Sequence, residues 1–159
     1  MKKVFLAKLV LHVNRKKWWH VLPRNPRAYS QRGKFLASSF REAEFWGRPL
    51  DEPQKVVVRK PLVGDELSIE KALFRKRLSD QQITMNQRWA LDAKIRKVAL
   101  RQGFDSVVVM TAKGFAKFKA TGEIPRSMEL NVFRASSSFG MRAAKLNRLM
   151  NARERESDR

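Results

Sequence analysis

The chain has 159 residues, with 35 Lys or Arg against 15 Asp or Glu, a formal net charge of +20. Its hydrophobic share of 43% suits a folded domain with a real core. With no cysteine and only two histidines, His12 and His20, the composition excludes disulfides, thiolate chemistry and the common structural zinc sites, and leaves two imidazoles at most for a histidine metal site.

Residues 3–13 alternate loosely, with Val4, Leu6, Lys8, Val10 and His12 on one side and Phe5, Ala7, Leu9, Leu11 and Val13 on the other, which predicts a strand. The same stretch imitates a secretion signal, but Lys8 interrupts it and no small-residue cleavage site follows. No run approaches membrane-spanning length, so the expectation is a soluble, cytoplasmic protein with no membrane partner. Residues 14–17 form a basic turn, and residues 18–22 return as a second strand stopped by Pro23 and Pro26. A polar loop or short helical turn follows over 24–32, carrying Arg24, Arg27 and Arg32.

Residues 31–47 read QRGKFLASSFREAEFWG. The apolar run 34–37 suits a buried strand; Ser39 with Glu42 three residues on is a capping box; Ala43, Phe45 and Trp46 give the next helix a small and aromatic face that Gly47 ends. Then come a loop over 48–53, a β-branched strand over 54–59 ended by Pro61 and Gly64, and a helix over 66–78 with Ile69, Ala72 and Leu73 inward. After a break at 79–84, the helix over 86–102 shows the stripe Leu91, Ile95 and Val98, with Gly103 as its stop. Residues 104–110 are the most hydrophobic strand, Thr111 caps a helix running to about residue 120, 121–127 is a loop and 129–133 is the last strand. A basic amphipathic helix starts near 136–138, with Phe139, Ala143, Leu146 and Met150 on one side, before a mixed-charge tail.

Taken alone, the 31–47 stretch is a strand-to-helix corner. Its order of glycine, aromatic, apolar residue, Ala37, a small polar step and a helix ending Ala43-Glu44-Phe45 also resembles the second sequence block of the ADP-ribosyltransferase fold family, the group of poly-ADP-ribose polymerases and diphtheria-type toxins. Trp18-Trp19-His20 upstream and Met128-Glu129-Leu130-Asn131-Val132-Phe133 downstream resemble the flanking blocks, in the right order. The segment 103–108 resembles a strand found late in that fold.

The resemblance implies an α+β domain over 1–135, with a split, mostly antiparallel sheet and surrounding helices, and a basic C-terminal helix and tail over 136–159. It implies NAD as substrate, no metal, and transfer of ADP-ribose to a macromolecular acceptor, whether nucleic acid or a protein, including one bound to nucleic acid. Glu129 and His20 then take the catalytic roles. His20, Val21, Arg24, Phe35, Ser38 and Phe45 form the donor-binding set, with Phe35 and Phe45 sandwiching the nicotinamide ring. Two positions depart from the family: Phe35 stands where Tyr is usual, and Val21 where Gly is usual. Each residue also has a plainer reading: a solvent-facing glutamate, a satisfied strand histidine, two core aromatics. His12 has no matching context.

The charge predicts attraction to polyanions, nucleic acid first, or else a merely solvated basic surface. The expected contact clusters are Arg15, Lys16 and Lys17; Arg75, Lys76 and Arg77; and Arg142, Lys145 and Arg148. Isolated glycines exclude a Walker loop or GxGxxG fingerprint. The RNA phosphotransferase branch of the same fold would suit the charge, but its paired Arg and His signatures are not evident. A rival of another class is a catalytically inactive protein of this fold, serving as a basic nucleic-acid-binding or virion structural module.

Overall fold

The structure, a computed structural model, describes residues 1–79 and 83–133. The expected C-terminal helix, with Arg142, Lys145 and Arg148, lies outside the described residues. In chain order the helices are α1 (Lys3–Arg15), α2 (Ala28–Arg32), α3 (Phe40–Glu44), α4 (Glu66–Phe74), α5 (Met85–Arg101) and α6 (Ala112–Thr121). The strands are β1 (Lys17–Trp18), β2 (Lys34–Ala37), β3 (Gln54–Lys55), β4 (Pro61–Gly64), β5 (Ser106–Val109) and β6 (Glu129–Val132).

A four-stranded sheet in the order β2-β6-β5-β4 forms the centre, and β1 pairs with β3 in a separate ribbon. Among the described residues, only the β4–β5 pair is parallel. The fold is therefore α+β with a mostly antiparallel core, as expected. Among the described residues, no helix is long and apolar enough to cross a membrane.

Strand alternation divides the sheet into two faces. Leu36, Leu130, Val108 and Val63 pack with Leu9 and Val13 of α1, Phe115 and Phe118 of α6, and Trp18. The opposite face places Val107 against Ile69, Leu73 and Ala99 of α4 and α5. Each such side chain contributes roughly 1.5–3 kcal/mol on leaving water. The register puts Phe35 opposite Asn131 and Ala37 opposite Glu129. The acid that opens β6 thus shares the face that α4 and α5 cover.

Two expected elements are corrected. Residues 3–13 form helix α1, not a strand: Leu9 and Val13 are buried, Phe5 and Leu6 half-buried, and Val4, Leu11 and His12 exposed. Leu6, Leu9, Val10 and Val13 follow the three-to-four spacing of one helical face, whereas a strand that buried Leu9 and Val13 would have buried Ala7 and Leu11 with them, and both are exposed. The strand expected over 54–59 shrinks to Gln54–Lys55, and the sheet instead uses Pro61–Gly64. There Pro61 begins an edge strand, where a missing N–H breaks no ladder. The Asp105 carboxylate accepts the N–H groups of Arg59 (2.7 Å) and Lys60 (3.2 Å), drawing that turn out of the ladder.

Smaller differences follow the same logic. The strand expected at 18–22 survives as Trp18 and isolated bridges at Trp19 and Val21. Helix α4 stops at Phe74 because Arg75 adopts the left-handed conformation, φ 60°. Ala72 is exposed. Ser39 does cap α3, accepting the Glu42 N–H at 3.2 Å, but the Glu42 carboxylate accepts from Ser38. Thr111 caps α6 as expected, at 3.1 Å.

Gly33, where α2 turns into β2, has φ 90°. A Cβ there would lie 2.2 Å from Asn131 Oδ1 and 3.0 Å from the Val132 carbonyl oxygen. Gly33→Ala should cost about 2 kcal/mol or more in denaturant unfolding. A loss below about half a kcal/mol would show that this corner is not tightly packed.

Candidate active site

The site begins where β2 ends. Ser38 is buried, and its N–H donates to the Met128 carbonyl at 3.2 Å. The Met128 N–H donates back to Ser38 Oγ at 3.1 Å, and the Ser38 hydroxyl donates to the Glu42 carboxylate. The residue before Glu129 is thus held from both sides, with Ala37 paired directly opposite Glu129.

Glu129 lines two spaces. An inner cavity of about 30 Å³ also touches Phe35, Arg88, Asp92 and Asn131. An outer, open cleft of about 550 Å³ is bounded by Asp65, Glu66, Arg77, Ser79, Thr111 and Ser127, among others. Burial pushes the Glu129 carboxyl up to about 7; Arg88 opposes the rise, while Asp92, Glu66 and Glu42 add to it. At neutral pH Glu129 is therefore divided between acid and carboxylate. Arg88 is the cation that lines the inner cavity among the described residues, donating to Glu66 at 2.9 Å and pairing with Asp92 at 3.3 Å.

His20 is buried elsewhere, at the outer edge of β2. Its Nδ1 lies 2.7 Å from the Phe35 carbonyl oxygen and its Nε2 2.8 Å from the Tyr29 hydroxyl. Burial, then nearby Lys34, lowers its pKa to about 4 against a raising hydrogen bond to Phe35, so the imidazole is neutral at pH 7. Burial likewise pushes the Tyr29 hydroxyl up to about 12. His20 lines neither the inner cavity nor the outer cleft.

The remaining expected donor residues scatter. Val21 is half-buried and bridges to Pro49, and Arg24 is exposed. Phe35 reaches the inner cavity, whereas Phe45 is 82% exposed and meets Trp46 edge-on at 5.1 Å. Phe35 and Phe45 therefore do not face one another across the Glu129 cavity. Ser38 acts on the Glu129 strand through Met128. His12 is exposed on α1.

Of the expected polyanion contacts, Arg15 and Lys17 are exposed near the α1–β1 junction, and Lys16 lies 6.0 Å from the Trp18 ring centre. Arg75, Lys76 and Arg77 are all exposed, and Arg77 borders the outer cleft.

Sequence reasoning missed Tyr29, Arg88, Asp92, Glu66 and Lys34. The Arg88–Asp92 spacing on a helix was a legible signal for an ion pair. Nothing local marks Tyr29 as the partner of His20. Lys34 is a buried cation whose ammonium donates to the Gln54 side-chain oxygen, and burial lowers its pKa to about 7.

Compared with family models, curated proteins and solved structures, the chain matches none of them.

The unfolded chain restores Lys34 to its ordinary 10.5. Between about 7 and 10.5 the unfolded state therefore binds more protons than the folded one, and this contribution to stability grows as pH rises through that window. Lys34→Met should be the more stable protein near neutral pH, by a few kcal/mol, with the advantage shrinking toward pH 10.5 in denaturant titrations. A difference that stays constant with pH would show that Lys34 is ordinarily solvated.

Proposed function

We propose that the chain is an NAD-dependent ADP-ribosyltransferase acting on a macromolecular acceptor, with Glu129 as its transferring-site carboxylate. The observation that carries this reading is the setting of Glu129: it opens a central strand, is largely withdrawn from water and borders a cleft of about 550 Å³. Cleaving the bond between nicotinamide and ribose builds positive charge on the sugar. A carboxylate in a poorly hydrated site stabilises that charge far better than one in water. The approaching cation would also favour the ionised form of Glu129, offsetting the burial that holds it near 7.

The residues fit NAD in part. A cleft of this size falls within the range of roughly 300–1,000 Å³ typical of small-ligand sites. Phe35 stands behind Glu129, where an aromatic amide would stack. The inner cavity, at about 30 Å³, takes only water-sized groups. Stacking on Phe35 therefore requires the inner wall formed by Ile69 and Leu91 to yield. His20 contributes by pinning the Phe35 strand to Tyr29. In this reading the chain works in the cytoplasm, and its acceptor is nucleic acid or a protein, including one bound to nucleic acid.

A second reading is favoured by a separate observation: both ring nitrogens of His20 are already engaged, and Phe45 stands away from the cleft. On that reading the chain is a catalytically inactive, basic nucleic-acid-binding or virion structural module.

Nicotinamide release from NAD separates the two. The wild-type chain should release nicotinamide, and Glu129→Gln should lower the rate by about 100-fold or more while thermal unfolding stays cooperative. Release by the variant within a few-fold of wild type removes Glu129 from the chemistry. No release by either protein, with nucleic acid still bound, favours the second reading.

A further inference from the structure

Residues 75–79 carry three consecutive cations, of which Arg77 lines the outer Glu129 cleft together with Ser79, and hydrogen bonds tie the loop back to α4. Arg75 closes α4 at φ 60°, its N–H returning to the Lys71 carbonyl at 2.9 Å. The carboxylate of Glu70, only 2% exposed, accepts the N–H groups of Leu78 at 2.5 Å and Ser79 at 2.9 Å. Arg77 Nε donates to the Ser79 carbonyl oxygen at 2.7 Å. Burial pushes the Glu70 carboxyl up, but the hydrogen bonds from Ser79 and Leu78 outweigh it and hold it below its ordinary value, so the clamp is ionised at neutral pH.

Arg75, Lys76 and Arg77 are exposed and form no ion pair among the described residues. A partly prefixed array of cations loses less freedom on meeting a polyanion than a flexible tail does. Beyond Arg77 the cleft lining carries the carboxyl groups of Asp65, Glu66 and Glu129, of which Glu66 is paired with Arg88. A phosphate is therefore better placed on the arginines than against these carboxyl groups. The same groups oppose an acidic side chain entering the cleft. They do not oppose a nucleotide's uncharged base or sugar hydroxyl, which can enter while its phosphate stays on the arginines.

We propose that the 75–79 loop docks the phosphodiester backbone of a nucleic acid beside the Glu129 cleft. The docking stands on the loop and its charge, and does not depend on the transferase reading above.

The test uses the full chain and a short fluorescent RNA or DNA oligonucleotide, single- and double-stranded, at several salt concentrations and without NAD. Replacing Arg75, Lys76 and Arg77 together by Ala should weaken binding about 10-fold or more and lower the log–log salt slope by about 2. Replacing Arg15, Lys16 and Lys17 by Ala removes the same formal charge and should weaken binding less than about threefold. Glu70→Gln keeps every surface cation but loosens the clamp, and should fall between the two. Equal losses from both triple variants would overturn the docking site in favour of diffuse charge. Displacement of the oligonucleotide by poly-glutamate as readily as by unlabelled RNA would overturn the choice of nucleic acid. Because NAD is absent, these outcomes stand whether or not nicotinamide is released.

Discussion

The antiparallel pairing of β2 with β6 is the constraint on which the rest of the site depends. It sets Ala37 against Glu129 and Phe35 against Asn131, and continues past the ladder through the reciprocal hydrogen bonds of Ser38 and Met128. Because side chains alternate along a strand, a slip of β6 by one residue would turn Glu129 into the core beside Leu9 and Phe118, and the same slip of β2 would turn Phe35 there. The apolar packing of Leu36 and Leu130 on that other face opposes such a slip. Core packing on one side of the sheet thus fixes the chemistry on the other.

Burial then does something unusual for so basic a chain. The surface carries the excess of cations, yet the covered face beside Glu129 is mainly acidic, with Glu66 and Asp92 answered by Arg88. On the opposite face Lys34 is withdrawn from water. Desolvation brings Lys34 down and Glu129 up until both lie near 7, one on each side of the same sheet. Along the outer cleft, Arg77 is placed to meet an anion and the carboxyl groups of Asp65 and Glu129 a developing positive charge.

Much of this was legible where local signals agreed. The 31–47 stretch carried a glycine, an apolar run and a capping serine, and its strand and the start of its helix formed where those signals pointed, but the helix ends at Glu44, short of Phe45, Trp46 and Gly47. Helix α5 was equally plain from the stripe through Leu91 and the stop at Gly103. The N-terminal segment misled because Phe5, Leu9 and Val13 satisfy a period of four while their neighbours also alternate, and only the partner surface decides between them. The 54–59 segment looked like a strand from its valines, but Asp105, 45 residues and more away in sequence, captures its backbone. Site residues behaved alike. Glu129 and Phe35 were readable from strand position, whereas the engagement of His20 by Tyr29 and the exposure of Phe45 depend on how α2 and α3 dock, which no spacing reports.

The most direct measurement is the titration of the Glu129 side-chain carboxyl, followed by carbon NMR on labelled protein and assigned by difference against Glu129→Gln. If the β2–β6 register withdraws this group from water beside Asp92 and Glu66, its midpoint lies near 7. A midpoint near the ordinary 4.5 would mean that Glu129 is solvated, and would remove the site on which the functional reading stands.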